Sequence, residues 1–329
     1  MISYISHSTD PKWNLALEEY FFETVPAGES FFMLWKNSRA VIIGKNQNTL
    51  AEIDRAFVRS QGITVVRRLS GGGAVYHDDG NINFTFITDA PQDNQVDLHR
   101  FCQPVAQVLR SFGVPARISG RNDITVEGRK FSGNAQYIRH GRVMHHGTLM
   151  FDSDLTVLQQ ALKADPEKVA SKGIASVASR VTNLRPYFPE GVTCEDLMTR
   201  LLAAVTGSRE PSMGALSPEA QAAVQKLKAA RYDTWDWNYG YSPPCTVTNG
   251  KYIPGCGSVR LQFSVTEGRL RGVQISGDFF GSRDVAELSC LLEGCENRRE
   301  AVAERLRDTA LEEFIHNFTQ EDLLSLLLA

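Results

Sequence analysis

The chain has 329 residues and no Cys-x-x-Cys pair; its six cysteines, Cys102, Cys194, Cys245, Cys256, Cys290 and Cys295, are scattered singly. That spacing argues against a disulfide frame or a structural metal and for free thiols in a reducing compartment. An excess of positive charge is also missing. A formal net charge of -3 gives no electrostatic reason to expect nucleic acid as a main partner, so local Arg/Lys clusters are better matched to a small anion. Long apolar runs are absent as well. The closing LLSLLLA is far shorter than the roughly 20 apolar residues of a membrane span. The first residues, which include Asp10, Glu18 and Glu19, have no apolar signal core. Together these features predict a cytoplasmic protein without a membrane partner.

What the sequence does contain is a glycine loop with cationic neighbours, Arg67-Arg68-Leu69-Ser70-Gly71-Gly72-Gly73, between a strand-like Ile63 to Val66 and a second run from Ile82 to Ile87. No Gly-Lys-Ser/Thr follows, and the next segment is not a long helix, so neither a P-loop nor a Rossmann turn is present. Three glycines weaken any regular element but allow close backbone approach, and their amides can form an anion cradle. A plain turn between strands is the alternative. Neighbours on a strand face opposite sides, so only one arginine can address the loop's ligand. Arg68, nearer the glycines, is the candidate, and Arg67 is read as a surface charge.

A second polar run, GRNDITVEGRKFSGNAQ, places Lys130 beside Ser132 and Gly133, where a lysine can approach a carboxylate and a phosphate together. Asn122-Asp123 offers either a turn cap or one Mg²⁺ carboxylate. His145 and His146 diverge on a strand and make a poor metal pair. His77 either contacts ligand or orders the loop. Cys102 lies mid-helix as buried core, and no Ser-His-Asp or activated-Cys arrangement stands out.

The length is too great for one ordinary core and fits one large and one small domain. The proline pair after Tyr241-Ser242 marks the boundary, giving a large domain over residues 1–244 and a small one over 245–329. That boundary motivates the hypothesis that the small domain swings relative to the large one. Asp10-Pro11 predicts a helix start, with Trp13, Ala16, Leu17, Tyr20 and Phe21 on one apolar face. Phe31 to Trp35 and Ala40 to Gly44, around a polar turn, read as a β-hairpin. Further helices are expected over Leu50 to Ser60, Val96 to Phe112, Leu155 to Leu162, Thr193 to Ala204 and Pro218 to Ala230. Strands are expected over Asp123 to Val126 and Val143 to Phe151. Residues 171–184 read as a long loop. In the small domain, Ser258 to Thr266 and Leu270 to Ile275 form a strand pair, with helices near Ser282 to Leu292 and Arg298 to Phe318. Hairpins rather than repeated βαβ units predict an α+β fold around a mixed, largely antiparallel sheet.

RRLSGGGAVYHDDGN resembles the ligand-binding loop of lipoate–protein ligases. GRNDITVEGRKFSGNAQ, HHGTL at His145 to Leu149 and KGIASVASRVTNL at Lys172 to Leu184 are similar to that family's second motif, third motif and adenylate loop, in the same order. NLALEE, WDWNYG and GDFF extend the likeness across nearly the whole chain. The resemblance implies an α+β biotin/lipoate-ligase catalytic domain, related to class II synthetase cores, with a small C-terminal α+β domain. It implies two steps, in which lipoate attacks the α-phosphorus of MgATP and an acceptor lysine amine then takes the lipoyl group from lipoyl-AMP. On this resemblance Lys130 is the catalytic residue, shared by lipoate and nucleotide. Arg68, Gly73, Ala74, Val75, Tyr76, Asn81, Asn122 and Asp123 are expected on the ATP side, with Asp123 towards Mg²⁺. Ser70, Gly71, Gly72, His77, His146 and Gly147 are expected on the lipoate side.

The implied substrates and cofactors are ATP, Mg²⁺ and lipoate, with no redox cofactor or structural metal. The implied partners are acceptor lipoyl domains of 2-oxoacid dehydrogenase E2 subunits and the glycine cleavage H protein. Trp35, Val41, Ile43 and Phe84 are candidates for the apolar slot. Octanoyl- and lipoyl-transferases share the fold but use a cysteine thioester, and no cysteine lies within these motifs. The glycine loop also differs from that of biotin ligases. Intact Arg68, Asp123 and Lys130 argue against a non-catalytic binder.

Overall fold

The computed structural model describes residues 1–47, 49–91, 97–120, 122–162, 181–239, 247–266, 269–296 and 299–327. Its largest sheet has seven strands in the order β1-β2-β6-β10-β9-β8-β7. These are β1 Ile2–Ile5, β2 Phe31–Trp35, β6 Asn81–Asp89, β7 Arg117–Ser119, β8 Asp123–Val126, β9 Arg129–Arg139 and β10 Arg142–Met150. A second sheet, ordered β4-β3-β5, holds β3 Ala40–Ile43, β4 Thr64–Arg67 and β5 Val75–His77. The only parallel pairs among the described strands are β1 with β2 and β3 with β4. The chain crosses over between the members of each pair through helix, as a parallel ladder requires.

The helix α1, Pro11–Thr24, makes the first crossover; Asp10 caps it by accepting from the Lys12 amide at 2.9 Å. It lies on one face of the large sheet with Phe31, Met33, Trp35, Ile87 and Met144. On the other face, α4 (Leu98–Ser111) and the helix Cys194–Thr206 bury Phe32, Leu34, Phe84, Phe86 and Leu149. Both faces of β2 are therefore covered, which is why its sequence FFMLW is apolar throughout rather than alternating. Among the described residues no helix is long and apolar enough to cross a membrane.

Three expected elements differ. Phe31–Trp35 and Ala40–Ile43 are not a hairpin, because the chain at Lys36–Arg39 passes from one sheet to the other. The helix expected over Leu50 to Ser60 breaks into α2 (Thr49–Glu52) and α3 (Arg55–Ser60), since Asp54 caps a new start by accepting from the Phe57 amide at 2.8 Å. The helix expected over Arg298 to Phe318 is two pieces, Arg299–Arg305 and Leu311–Phe314, parted by a turn in which the Thr309 amide donates to the Leu306 carbonyl at 3.0 Å. The small C-terminal sheet adds a strand beside the expected pair: β11 Val247–Ile253, β12 Gly257–Thr266 and β13 Arg269–Gly277. Val285–Leu292 and Gln320–Leu327 complete its core. The expected boundary at Ser242-Pro243-Pro244 lies outside the described residues.

Arg67 is not a surface charge. It is 0% exposed. Its Nη1 donates to the carbonyls of Gly44, Lys45 and Gln47 at 2.9, 3.0 and 2.6 Å. Its Nη2 donates to Thr49 Oγ1 at 2.7 Å and its Nε to the Trp237 carbonyl at 2.9 Å. A guanidinium fork reaches several acceptors from one stem, which suits closing the 44–49 turn and stapling Trp235–Asn238 to β4. We expect Arg67→Ala to lower the unfolding free energy by about 3 kcal/mol or more, because it leaves buried carbonyls unpaired. Urea denaturation measures this, and an unchanged midpoint would show that the fork contributes nothing net.

Candidate active site

One cavity of about 80 Å³ opens between the two sheets. Leu15 comes from α1, Trp35 and Asn83 from β2 and β6, and Ile42, Val75 and His77 from the small sheet. Lys130, Gly133, Asn134, Ala135, His146, Gly147 and Thr148 come from β9 and β10. Arg68, Gly72, Gly73, Ala74 and Asn122 close the rim. The wall thus combines an apolar floor with a few convergent polar groups, as small-molecule sites do.

Lys130 Nζ stands 2.7 Å from Asp123 Oδ1, an ion pair that falls short of well-directed hydrogen-bond geometry. Both side chains are about one-third exposed, so the pair is readily exchanged for another anion. A Cβ on Gly133 would lie 3.0 Å from Lys130 Nζ, so the absence of a side chain there leaves the ammonium its place. The Lys130 carbonyl accepts from the Thr182 amide at 2.8 Å, tying the lysine strand to the residues that follow 163–180. Most of the expected adenylate loop, Lys172 to Arg180, lies outside the described residues.

The glycine loop is wrapped round Arg68. Arg68 Nη2 donates to the carbonyls of Gly71 and Gly73 at 2.6 and 2.9 Å, Nη1 to the Ile42 carbonyl at 3.2 Å, and Nε to Ser70 Oγ at 3.0 Å. Burial pulls the guanidinium down to about 10, so it stays a cation at neutral pH. Arg68 borders the cavity, yet most of its donors serve the loop itself. The close approach that the glycines permit comes from the C-terminal domain. A Cβ on Gly71 would sit 2.1 Å from the Phe279 carbonyl oxygen, and the Gly72 amide, at φ +90°, donates to that oxygen at 3.1 Å. Lys45 reaches Asp284 across the same contact at 3.0 Å.

Behind the loop runs a buried series that the spacing of residues did not disclose. Glu18 accepts from His146 Nδ1 at 2.9 Å, and His146 Nε2 lies 2.6 Å from Ser70 Oγ. Thr85 Oγ1 donates to Glu18 at 2.6 Å, and Trp35 Nε1 donates to Thr85 Oγ1 at 2.9 Å. This is a Ser-His-Glu arrangement in contact terms, but Ser70 is 1% exposed and does not border the cavity. The series orients His146 and the loop instead of presenting a nucleophile. Its acid is remote in sequence from its serine and histidine, so only the tertiary fold reveals it.

The remaining expected residues divide by strand parity. His77, Val75 and Ala74 line the cavity, whereas Tyr76 points the other way into the cluster of Val41 and Ile43, its hydroxyl pushed up to about 12 by burial. Ile42 and Asn83 face the cavity, so of the proposed apolar slot only Trp35 is there; Val41, Ile43 and Phe84 occupy opposite faces. Asn81 is one step removed, donating through Nδ2 to Asn83 Oδ1 at 3.0 Å. Ser70 and Gly71 lie beneath the rim, and Gly72, Gly73, Asn122, His146 and Gly147 are in the wall. His145 diverges from His146 and is stacked 4.9 Å from Phe101 and 6.0 Å from Phe84. Cys102 is fully buried and its thiol is pushed up to about 12, which leaves it inert. No group of three or more His, Cys, Asp or Glu suited to a metal occurs among the described residues.

The architecture is the α+β fold of lipoate–protein ligases, with a C-terminal domain. Residues 10–206 match the lipoyl protein ligase A/B catalytic domain, and residues 242–327 match the bacterial lipoate protein ligase C-terminus, so the chain belongs to the lipoate–protein ligase family. It is 42% identical over 322 residues to Lipoate-protein ligase LplJ of Bacillus subtilis (strain 168), covering 97% of each chain. It superposes on P. falciparum LipL1, solved in complex with lipoate, with a TM-score of 0.78, 26% identity and 99% of each chain covered. A lipoate-protein ligase A bound with ATP shares the fold at TM-score 0.60 and 23% identity, over 73% of this chain and 97% of that one.

Burial, with the charges of Arg68 and His146, holds His77 down to about 3, and burial holds His145 well below its ordinary value. Both rings are thus neutral in the folded state, while in the unfolded chain they take up protons near pH 6.5. A depressed histidine makes the native state bind fewer protons, so stability is lost as pH falls from about 6.5 towards 3. The expected slope is up to about 1.4 kcal/mol per pH unit for each ring. Denaturation at pH 7, 6 and 5 measures it, and His77→Gln is expected to remove one ring's share; an unchanged slope in that variant would mean that His77 titrates normally.

Proposed function

We propose that this cavity joins free lipoate to ATP, giving lipoyl-AMP and pyrophosphate, and then delivers the lipoyl group to a lysine of an acceptor lipoyl domain. The observation that carries the reading is Lys130, an ammonium paired only with Asp123 in the ion pairs of the described residues, set in the wall of a cavity whose opposite rim is the glycine loop. A carboxylate and a triphosphate repel each other, and a lysine between them offsets that repulsion at the reacting centre. A carboxylate oxygen of the acid forms the new bond to the α-phosphorus as the bond to pyrophosphate breaks. In the second step the acceptor amine adds to the acyl carbon, AMP leaves, and the amine loses a proton. No protein nucleophile enters either step, in keeping with the inert Cys102 and the enclosed Ser70.

Arg68, Gly73, Ala74, Val75, Tyr76, Asn81, Asn122 and Asp123 are assigned to the nucleotide side, and Ser70, Gly71, Gly72, His77, His146 and Gly147 to the acid side, with Lys130 shared. Several of these act at one remove: Ser70 through His146, Asn81 through Asn83. Mg²⁺ arrives with ATP. With one carboxylate beside Lys130, the ion would be held chiefly by phosphate oxygens, with Asp123 as the protein's contribution. Phosphate oxygens that reach the Gly72 amide must displace the Phe279 carbonyl, so nucleotide and the docked 277–280 segment compete for the loop. We assign residues 1–244 to the catalytic domain and 245–329 to the accessory domain, the acceptors to E2 subunits and H protein, and the reaction to the cytoplasm.

The test is lipoate-dependent exchange of pyrophosphate into ATP. Exchange by the wild-type chain is expected, whereas acyl transfer from a carrier protein without exchange would support a transferase instead. Lys130→Ala is expected to cut exchange by about 10²–10³-fold. Near-normal exchange in that variant would remove Lys130 from the chemistry.

A further inference from the structure

A row of residues crosses the large sheet from the apolar floor of the cavity to the lysine. Trp35 on β2 is paired with Asn83 on β6, and Asn83 with Thr148 on β10. Thr148 meets Gly133 on β9, whose amide donates to Thr148 Oγ1 at 3.1 Å. All four residues line the cavity. Neighbouring strands lie about 4.8 Å apart, so the row is about 14 Å long, enough for an extended eight-carbon acid with its carboxyl. Polarity rises along it. Trp35 spends its indole N–H on Thr85 Oγ1 at 2.9 Å and leaves its ring to the floor. Asn83 has both ends of its amide taken within the sheet, by Asn81 Nδ2 at 3.0 Å and by the Trp35 carbonyl at 3.4 Å. Thr148 differs. Its oxygen accepts from the Gly133 amide, but the Gly133 carbonyl towards which its own proton turns is 3.5 Å away. A formed O–H···O bond measures about 2.7–2.8 Å, so that proton is loosely held. Lys130 comes next. A Cβ on Gly133 would lie 3.0 Å from Lys130 Nζ and 4.0 Å from Thr148 Oγ1, so the ammonium and the hydroxyl are at most about 7 Å apart.

We propose that Thr148 is a carboxyl-binding residue: its hydroxyl donates to one carboxyl oxygen of the acid, which lies along the row with its far end at Trp35. The inference rests on the lipoate-activating reading of the cavity. A carboxylate that takes one hydrogen bond of about 2.8 Å at each oxygen bridges two donors at the separation of Thr148 and Lys130. A hydroxyl whose proton has only a distant acceptor gains from a charged oxygen what the fold does not give it. Thr148 shares its row with Trp35 and not with the glycine rim, which favours the acid over the nucleotide as its partner. Asn83, its amide already bonded, meets only the aliphatic chain. Thr148 keeps its proton throughout the step. The second carboxyl oxygen forms its bond to the α-phosphorus, and pyrophosphate departs with the electron pair.

Calorimetry on the full chain reads the Kd for lipoate and for octanoate without ATP, and the Kd for ATP without acid. Thr148→Val keeps the shape of the side chain and removes the hydroxyl. It is expected to weaken both acids about tenfold and to bind ATP within about twofold of wild type. Thr148→Ser retains the hydroxyl and is expected to bind both acids within about threefold of wild type. A merely structural loss, from the Gly133 amide that valine leaves unpaired, weakens acid and ATP alike, and that outcome overturns the proposal. Unchanged acid binding in Thr148→Val overturns it too, as does a serine variant as weak as the valine one. Nuclear Overhauser contacts in the wild-type chain carry the test whether or not either variant folds. With threonine methyls labelled, Thr148 is expected to contact the protons next to the carboxyl of bound octanoate. A contact to the terminal methyl instead, or to no part of the acid, places the carboxyl elsewhere and overturns the proposal. Wild-type protein that binds neither acid overturns the lipoate reading itself, and is distinguished from the other outcomes because no variant is involved.

Discussion

The site depends on the burial of two adjacent guanidinium groups. Arg67 and Arg68 leave β4 on opposite sides, and each turns its fork inward to backbone carbonyls instead of outward to solvent. Burying a cation is costly unless its hydrogens find acceptors, and a guanidinium can satisfy many acceptors from one position. Arg67 thereby fixes the 44–49 turn and the Trp235–Asn238 segment, while Arg68 gathers Ser70, Gly71 and Gly73 into a single curve. With the carbonyls of Gly71 and Gly73 drawn towards Arg68, the Gly72 amide is left for the C-terminal segment at Phe279. The loop is therefore an arginine-centred turn whose glycines admit a neighbouring backbone.

Much of this is local chemistry and was open to reading from the residues. The Asp10-Pro11 start, the strand Asp123–Val126 and the pairing of β12 with β13 follow from capping, alternation and turns, each decided within a few positions. Sequence spacing alone could not tell which face of a strand meets the cavity. Val41 and Ile43 are as apolar as Ile42, and Phe84 more so than Asn83; the sheet's covering on both sides removes the polar alternation that would mark the inner face. The same loss of alternation makes Arg67 and Arg68 equivalent on paper. Glu18 and Asn37 were invisible for a different reason. Each acts on a residue far along the chain, Glu18 on His146 and Asn37 on His77, and neither contact has a spacing signature.

The cavity has two kinds of donor, and the fold treats them oppositely. Lys130 is about one-third exposed and ion-paired, so its charge can pass from Asp123 to an incoming anion with little desolvation. His77 is enclosed, and burial together with Arg68 and His146 suppresses its charge. A reaction that must first bring an acid anion to a polyanion, and then make that acid attack, places conflicting demands on its binding groups. Strong positive charge gathers the reactants but weakens a carboxylate as a nucleophile. The fold keeps the two groups apart in kind: a part-exposed ammonium paired with a carboxylate, and an enclosed ring without charge. That ring is held by Asn37, and Asn37 by Asn14, whose amide nitrogen is anchored on main-chain carbonyls of the β1–α1 and β2–β3 connections. The α1 crossover thus gives more than one face of the core. Leu15 lines the cavity, Glu18 orients His146 and Asn14 directs His77, so a single helix turn carries the apolar floor and both histidine settings.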